Sequence, residues 1–119
     1  VKKYLNQALE INNNNILANL SKGIWHAEII NQAGKTLAGA VYGAKISKTL
    51  YHFEIVEKHQ NANEIGILYE LAYGYFLLNE DKYFNKSKLF LEQIFQKQPS
   101  SDMDNLYKKK AYLLIELLP

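Results

Sequence analysis

Three stretches of this chain close on the same signal, an apolar pair followed by a polar patch and a turn. Ala8-Leu9-Glu10-Ile11 runs into Asn12 to Asn15, and Phe53-Glu54-Ile55-Val56 into Gln60 to Asn63. Leu91-Glu92-Gln93-Ile94-Phe95 runs likewise into Gln98-Pro99-Ser100-Ser101. A spaced recurrence of this kind marks a repeat array, in which no unit can bury its apolar face alone and each stacks on its neighbour. Such stacks present an extended concave surface whose usual work is to hold another chain.

Helical spacing runs the length of the sequence. Tyr4, Leu5, Ala8, Leu9 and Ile11 suit a helix over residues 1–11 that the asparagine run ends. From Ile16 to about Ala33, Leu17, Leu20, Ile24, Ala27 and Ile30 predict an amphipathic helix with those residues inward. Leu37 to Ala44 is small, apolar and punctuated by glycine, and reads as a loop or broken helix. Ser47 is the expected cap of the next helix, which carries Leu50, Phe53 and Val56 and ends near His59. Asn63 is the expected cap of a helix with Ile67, Leu68, Leu71, Ala72, Tyr75 and Leu78 on its buried stripe. After a polar turn at Asn79 to Lys82, a helix starting near Asn85 turns Ser87, Leu91, Ile94 and Phe95 inward and stops before Pro99. Ser101 or Asp102 caps the last helix, with Leu106, Leu113, Leu114 and Leu117 expected to face in. The class is all-α: antiparallel helix hairpins, about six helices, in one repeat domain spanning 1–119.

Composition narrows the function. The 119 residues carry a net charge of +2, too weak to argue for nucleic acid, and every basic residue is lysine. Without arginine the chain lacks the planar fork that reads phosphate and guanine bidentately, so no nucleic-acid partner is expected. No cysteine is present, which removes disulfides, thiolate nucleophiles and cysteine-based zinc sites. No apolar run approaches a membrane span. The chain begins at Val1 without the features of a signal peptide and reads as a fragment of a longer, soluble protein, any leader lying upstream.

The residues carry a family resemblance. Ala8-Leu9-Glu10-Ile11-Asn12-Asn13-Asn14-Asn15 resembles the closing half of a tetratricopeptide repeat, with Asn13 where that family usually has proline. Leu91, Ile94, Phe95 and Pro99 match the same half with the proline present, and Leu68, Leu71, Ala72 and Tyr75 match the opening half. Leu17, Leu20, Ser21 and Ile24 follow that opening pattern more loosely. The spacing exceeds the family's unit of about 34 residues by roughly a dozen residues at Gln32 to Lys45 and by a few near Asn79 to Phe84. Gly23-Ile24-Trp25-His26-Ala27-Glu28-Ile29 with the Gly/Ala stretch is similar to divergent bacterial members of this class, which implies a right-handed superhelix and a bacterial cytoplasmic or periplasmic setting.

Candidate chemistry is thin. Gly34-Lys35-Thr36 has the closing residues of a phosphate-binding loop, but Ile29 stands where that loop needs glycine, and a helix precedes it instead of a strand. No nucleotide is expected there. His26 and Glu28 are two apart and point to different faces of a helix. His52 and His59, seven apart, share a face but lack a third metal ligand. Lys108-Lys109-Lys110 reads as a solvated face, because Leu106, Leu113 and Leu117 are expected to be buried against Leu91 and Phe95. No catalysis, cofactor or metal is expected.

Tyr69 and Tyr73, four apart and opposite Leu71 and Tyr75, are the strongest binding candidates. The resemblance implies that this side of a repeat's first helix lines the concave groove. Asn19, Lys22 and His26 take the corresponding positions in the preceding unit. Together the five predict a wet groove with an aromatic floor that takes a peptide or protein segment. Two alternatives belong to other classes: self-association or docking onto the rest of a longer chain, suggested by the apolar Leu113-Leu114-Ile115 run, and a small-ligand or lipid carrier built on the Gly/Ala segment.

Overall fold

The computed structural model describes residues 15–119, and at 41 and 42 the backbone alone. Among the described residues the chain is all-α, with no strand. In order come α1 (Ile16–Ala33), α2 (Lys35–Leu37), a π-helical turn (Ala38–Tyr42), α3 (Ile46–Glu57), α4 (Ile65–Leu77), α5 (Asp81–Phe95) and α6 (Asp102–Leu117). The helix expected over residues 1–11 lies outside the described residues. Two compact units divide between Gln60 and Asn61.

In the first unit α1 packs antiparallel against α3. Asn15 caps α1, its side chain accepting from the Ala18 N–H at 2.8 Å. Gly34 ends it at φ 81°, a conformation that suits a residue without Cβ, while its N–H reaches Ile30 O at 2.8 Å. The Gly/Ala stretch is a broken helix: the short α2 runs into the π turn, and Gly43 closes it at φ 68°. Ala38 and Ala44 are buried there. α1 and α3 approach closely at Gly23, where an added Cβ would lie 2.5 Å from Phe53 Cε1. Thr49 Oγ1 donates to Gly23 O at 3.3 Å across the same contact.

In the second unit α4 lies antiparallel to α5, and α5 antiparallel to α6. The stripe Ile67, Leu68, Leu71, Ala72, Tyr75 and Leu78 is buried as its spacing predicts. Ser87 of α5 donates to Ala72 O at 2.7 Å, marking a close crossing at small residues. Tyr75 stacks on Phe90 with ring centroids 5.9 Å apart, and Phe95 on Tyr112 of α6 at 4.5 Å. Asn79 turns the chain after α4 at φ 57°, which asparagine tolerates better than most residues. Ser101 caps α6: its Oγ accepts from Asp104 N–H at 3.0 Å. Ser100 donates through N–H and Oγ to Asp104 Oδ2 and holds that carboxyl below the usual range.

Several sequence expectations are corrected. α3 begins at Ile46, so Ser47 lies inside its first turn, and Lys45 occupies the cap without a side-chain bond. Glu64, not Asn63, flanks α4, and α5 starts at Asp81, earlier than Asn85. On α1, Leu17 faces solvent. The largest change is on α6. Leu114 is buried, but Leu106, Leu113 and Leu117 are 46%, 65% and 68% exposed. The helix turns Tyr107, Ala111 and Leu114 inward instead, since apolar residues populate two of its faces and hydropathy alone does not choose between them.

Candidate functional site: a buried polar cluster and a tyrosine ladder

The five residues expected to line one groove divide between the two units. Asn19, Lys22 and His26 belong to the first, and none lines open solvent: they are 0%, 6% and 1% exposed. This corrects the expectation of a wet surface. The reason is Gly23, which shares their face of α1 and draws α3 close. Asn19 therefore finds hydrogen-bond partners within the protein, and Lys22 and His26 meet neighbouring rings.

Asn19 bridges two segments. Its Nδ2 donates to Asn15 O at 2.9 Å, and its Oδ1 accepts from His52 Nδ1 at 2.9 Å. Because an amide oxygen only accepts, His52 carries its proton on Nδ1 when neutral. The His26 and His52 rings stack with centroids 6.1 Å apart and planes 12° apart, and Trp25 meets His26 edge-on at 4.9 Å. Burial, reinforced by the positive charges of Lys22 and Lys48, lowers the His52 pKa to about 4. The imidazole is neutral near pH 7 and serves as a hydrogen-bond donor in the packing of α1 on α3.

Tyr69 and Tyr73 belong to the second unit, where α4 holds them together. Their rings lie 6.3 Å apart and 7° from parallel, and Tyr107 of α6 meets Tyr69 at 5.6 Å. All three are half-buried. Gly66, one turn earlier on α4, leaves room for Tyr107: an added Cβ would lie 3.1 Å from its ring. Burial raises the Tyr69 and Tyr107 hydroxyls above the usual range, and the Glu70 carboxylate adds to both shifts. Lys110 lies over the Tyr107 ring at 5.4 Å. The result is a stacked aromatic ladder with partly open faces, an anion on one side and a cation at its end.

Sequence reasoning missed Thr49 and Tyr107, and weighed His52 only beside His59 as a metal ligand. Thr49, His52, Phe53 and Val56 share one helical stripe, a readable signal for the first two. Tyr107, Ala111 and Leu114 form another, masked by the stronger leucine pattern beside it.

Other chemistry finds little support in the geometry. Gly34 is a helix terminator, and Lys35 and Thr36 are exposed in α2. Among the described residues, no three of His, Cys, Asp or Glu are grouped to hold a metal ion, and no helix is long and apolar enough to cross a membrane. His59 lines a recess of about 390 Å³ with Ile55, Lys58 and Gln60. A second recess of about 230 Å³ is lined by Ile30, Lys35, Ala44, Lys45 and Ile46. Comparison with protein-family models, curated proteins and solved structures finds no match to this chain.

Proposed function

We propose that this chain is a non-catalytic protein-interaction module of tetratricopeptide-like character that binds a peptide or protein segment. The observation that carries this reading is the Tyr73–Tyr69–Tyr107 ladder, preorganised by stacking and half open to solvent. Tyrosine suits such a surface because it offers a large rigid ring and a hydroxyl at low entropic cost. The alternation of α4, α5 and α6 as antiparallel neighbours also favours the helical-hairpin reading. In this proposal Asn19, Lys22 and His26 hold the first unit together, and binding belongs to the tyrosines.

The test is the double variant Tyr69→Ala/Tyr73→Ala against wild type, used as bait with partners identified by mass spectrometry. Loss of a reproducible partner with a melting curve still cooperative supports the module. Undiminished capture by a folded variant moves the binding surface elsewhere.

A second reading, a small-ligand carrier, rests on the recess beside the Gly/Ala stretch. Its volume of about 230 Å³ falls below the roughly 300–1,000 Å³ of ordinary ligand sites. Native mass spectrometry of the purified protein checks it directly: a co-purified small molecule displaced by Ala44→Trp would favour the carrier.

A further inference from the structure

The outer face of α6 carries a second pattern, which the packing of the unit leaves unused. Met103, Leu106, Lys110, Leu113 and Leu117 are all exposed, and their spacing is three, four, three, four. That is the seam of a heptad, with Met103, Lys110 and Leu117 at a positions and Leu106 and Leu113 at d positions. On a helical wheel the five fall within an arc of about 80°, beside the inward face of Tyr107, Ala111 and Leu114. Seam and core are distinct stripes of one helix.

We propose that this seam joins two copies of the chain through an antiparallel α6–α6 pair. Charge decides the orientation. In a parallel pair Lys110 would meet its own copy in the middle of the apolar seam, and like charges repel there. In an antiparallel pair each a position packs beside a d position of the other copy. Leu106 then faces Leu117, and Lys110 faces Leu113 with its stem along the seam and its ammonium at the edge. The same register sets Lys109 against Glu116 on the outer flank, twice by symmetry. Both opposite-charge pairs follow from the spacing once the leucines are layered.

A lipid surface is the competing occupant of an apolar helix face next to lysines, and the charge pattern disfavours it. Asp102 and Glu116 flank the face together with Lys109, and Lys108 is turned inward, its Nζ donating to Lys97 O at 2.8 Å. An anionic membrane would meet as much repulsion as attraction. The 16-residue helix is about 24 Å long, little more than two heptads, so the contact is small beside the 1,200–2,000 Å² typical of specific complexes. The dimer is therefore expected to be weak and concentration-dependent. The seam shares Lys110 with the tyrosine ladder but none of its three rings, so Leu113→Glu separates self-association from binding at the tyrosines.

Sedimentation velocity over a concentration series, with circular dichroism as a check on folding, tests the proposal. Wild type should pass from monomer to dimer as concentration rises. Leu113→Glu, at a position 65% exposed, should keep its helicity and weaken the dimer by at least about tenfold. Lys109→Glu and Glu116→Lys should each weaken it, and the double reversal Lys109→Glu/Glu116→Lys should restore it. A wild type that stays monomeric to roughly 1 mM overturns the proposal. So does a dimer indifferent to Leu113→Glu, or a double reversal that does not recover. A monomer that binds phosphatidylserine vesicles through Leu113 would assign the face to lipid instead.

Discussion

Protonating His52 would put a charge inside the first unit, next to Lys22 and Lys48. The folded pKa of about 4 lies below the ordinary 6.5, so between those values the unfolded chain binds the extra proton. Stability is therefore full above about pH 6.5 and falls as pH drops toward 4. The loss should be about 1–2 kcal/mol once solvent screening is allowed for. An NMR titration should find the His52 midpoint near 4, and His52→Asn should remove the corresponding part of the pH slope; a midpoint at 6.5 would contradict the buried arrangement. Glycine gives a second residue-scale contrast. Gly23→Ala gains up to about 1 kcal/mol of helix propensity but drives a methyl to 2.5 Å from the fully buried Phe53. Overpacking of about 1–3 kcal/mol should win, lowering the melting temperature, and Phe53→Leu should partly rescue it. Gly66→Ala meets only a 3.1 Å contact with the half-exposed Tyr107 ring, which has room to give, so its net effect should be near zero.

At the scale of elements, caps and crossings separate what was readable from what was not. The α6 cap was legible to within a residue, as Ser101 or Asp102; the structure selects Ser101, and Ser101→Ala should cost about 1 kcal/mol in a urea denaturation. Ser47 and Asn63 looked equally suitable, yet each missed the cap by one or two residues. A helix can begin without a side-chain cap when packing supplies the stabilisation, and local chemistry alone does not report that. Every residue expected on the α4 stripe is buried, and Ile65 and Leu77 are buried beside them, since apolar residues surround this helix. Ala72 is its small residue at the crossing with α5, so Ala72→Leu should overpack and cost about 1–3 kcal/mol by chemical denaturation. An unchanged midpoint would mean that the crossing yields more than a close-packed interior should.

At the scale of the whole chain, the candidate site was half legible. Tyr69 and Tyr73 were identified from their separation of four, and their stacking follows from it. The Tyr69→Ala/Tyr73→Ala variant should lose less stability than Leu71→Ala, for which about 2–5 kcal/mol is typical of a buried leucine. Parallel melting curves of the two variants check this. Asn19, Lys22 and His26 were identified too, but as groove surface, because the repeat resemblance implies that their positions line a concave face. What the amino-acid sequence determined by itself was the all-α class, the course of α1 and the buried stripe of α4. Each of these rests on local periodicity and turn chemistry, which act within one segment. Only the tertiary structure decided which stripe of α1 and of α6 faces inward. Both helices carry two plausible faces, and the choice depends on the shape of a neighbour: Gly23 admits Phe53, and Tyr107 finds room beside Gly66. Such complementarity joins residues distant in the chain, so no single segment contains it.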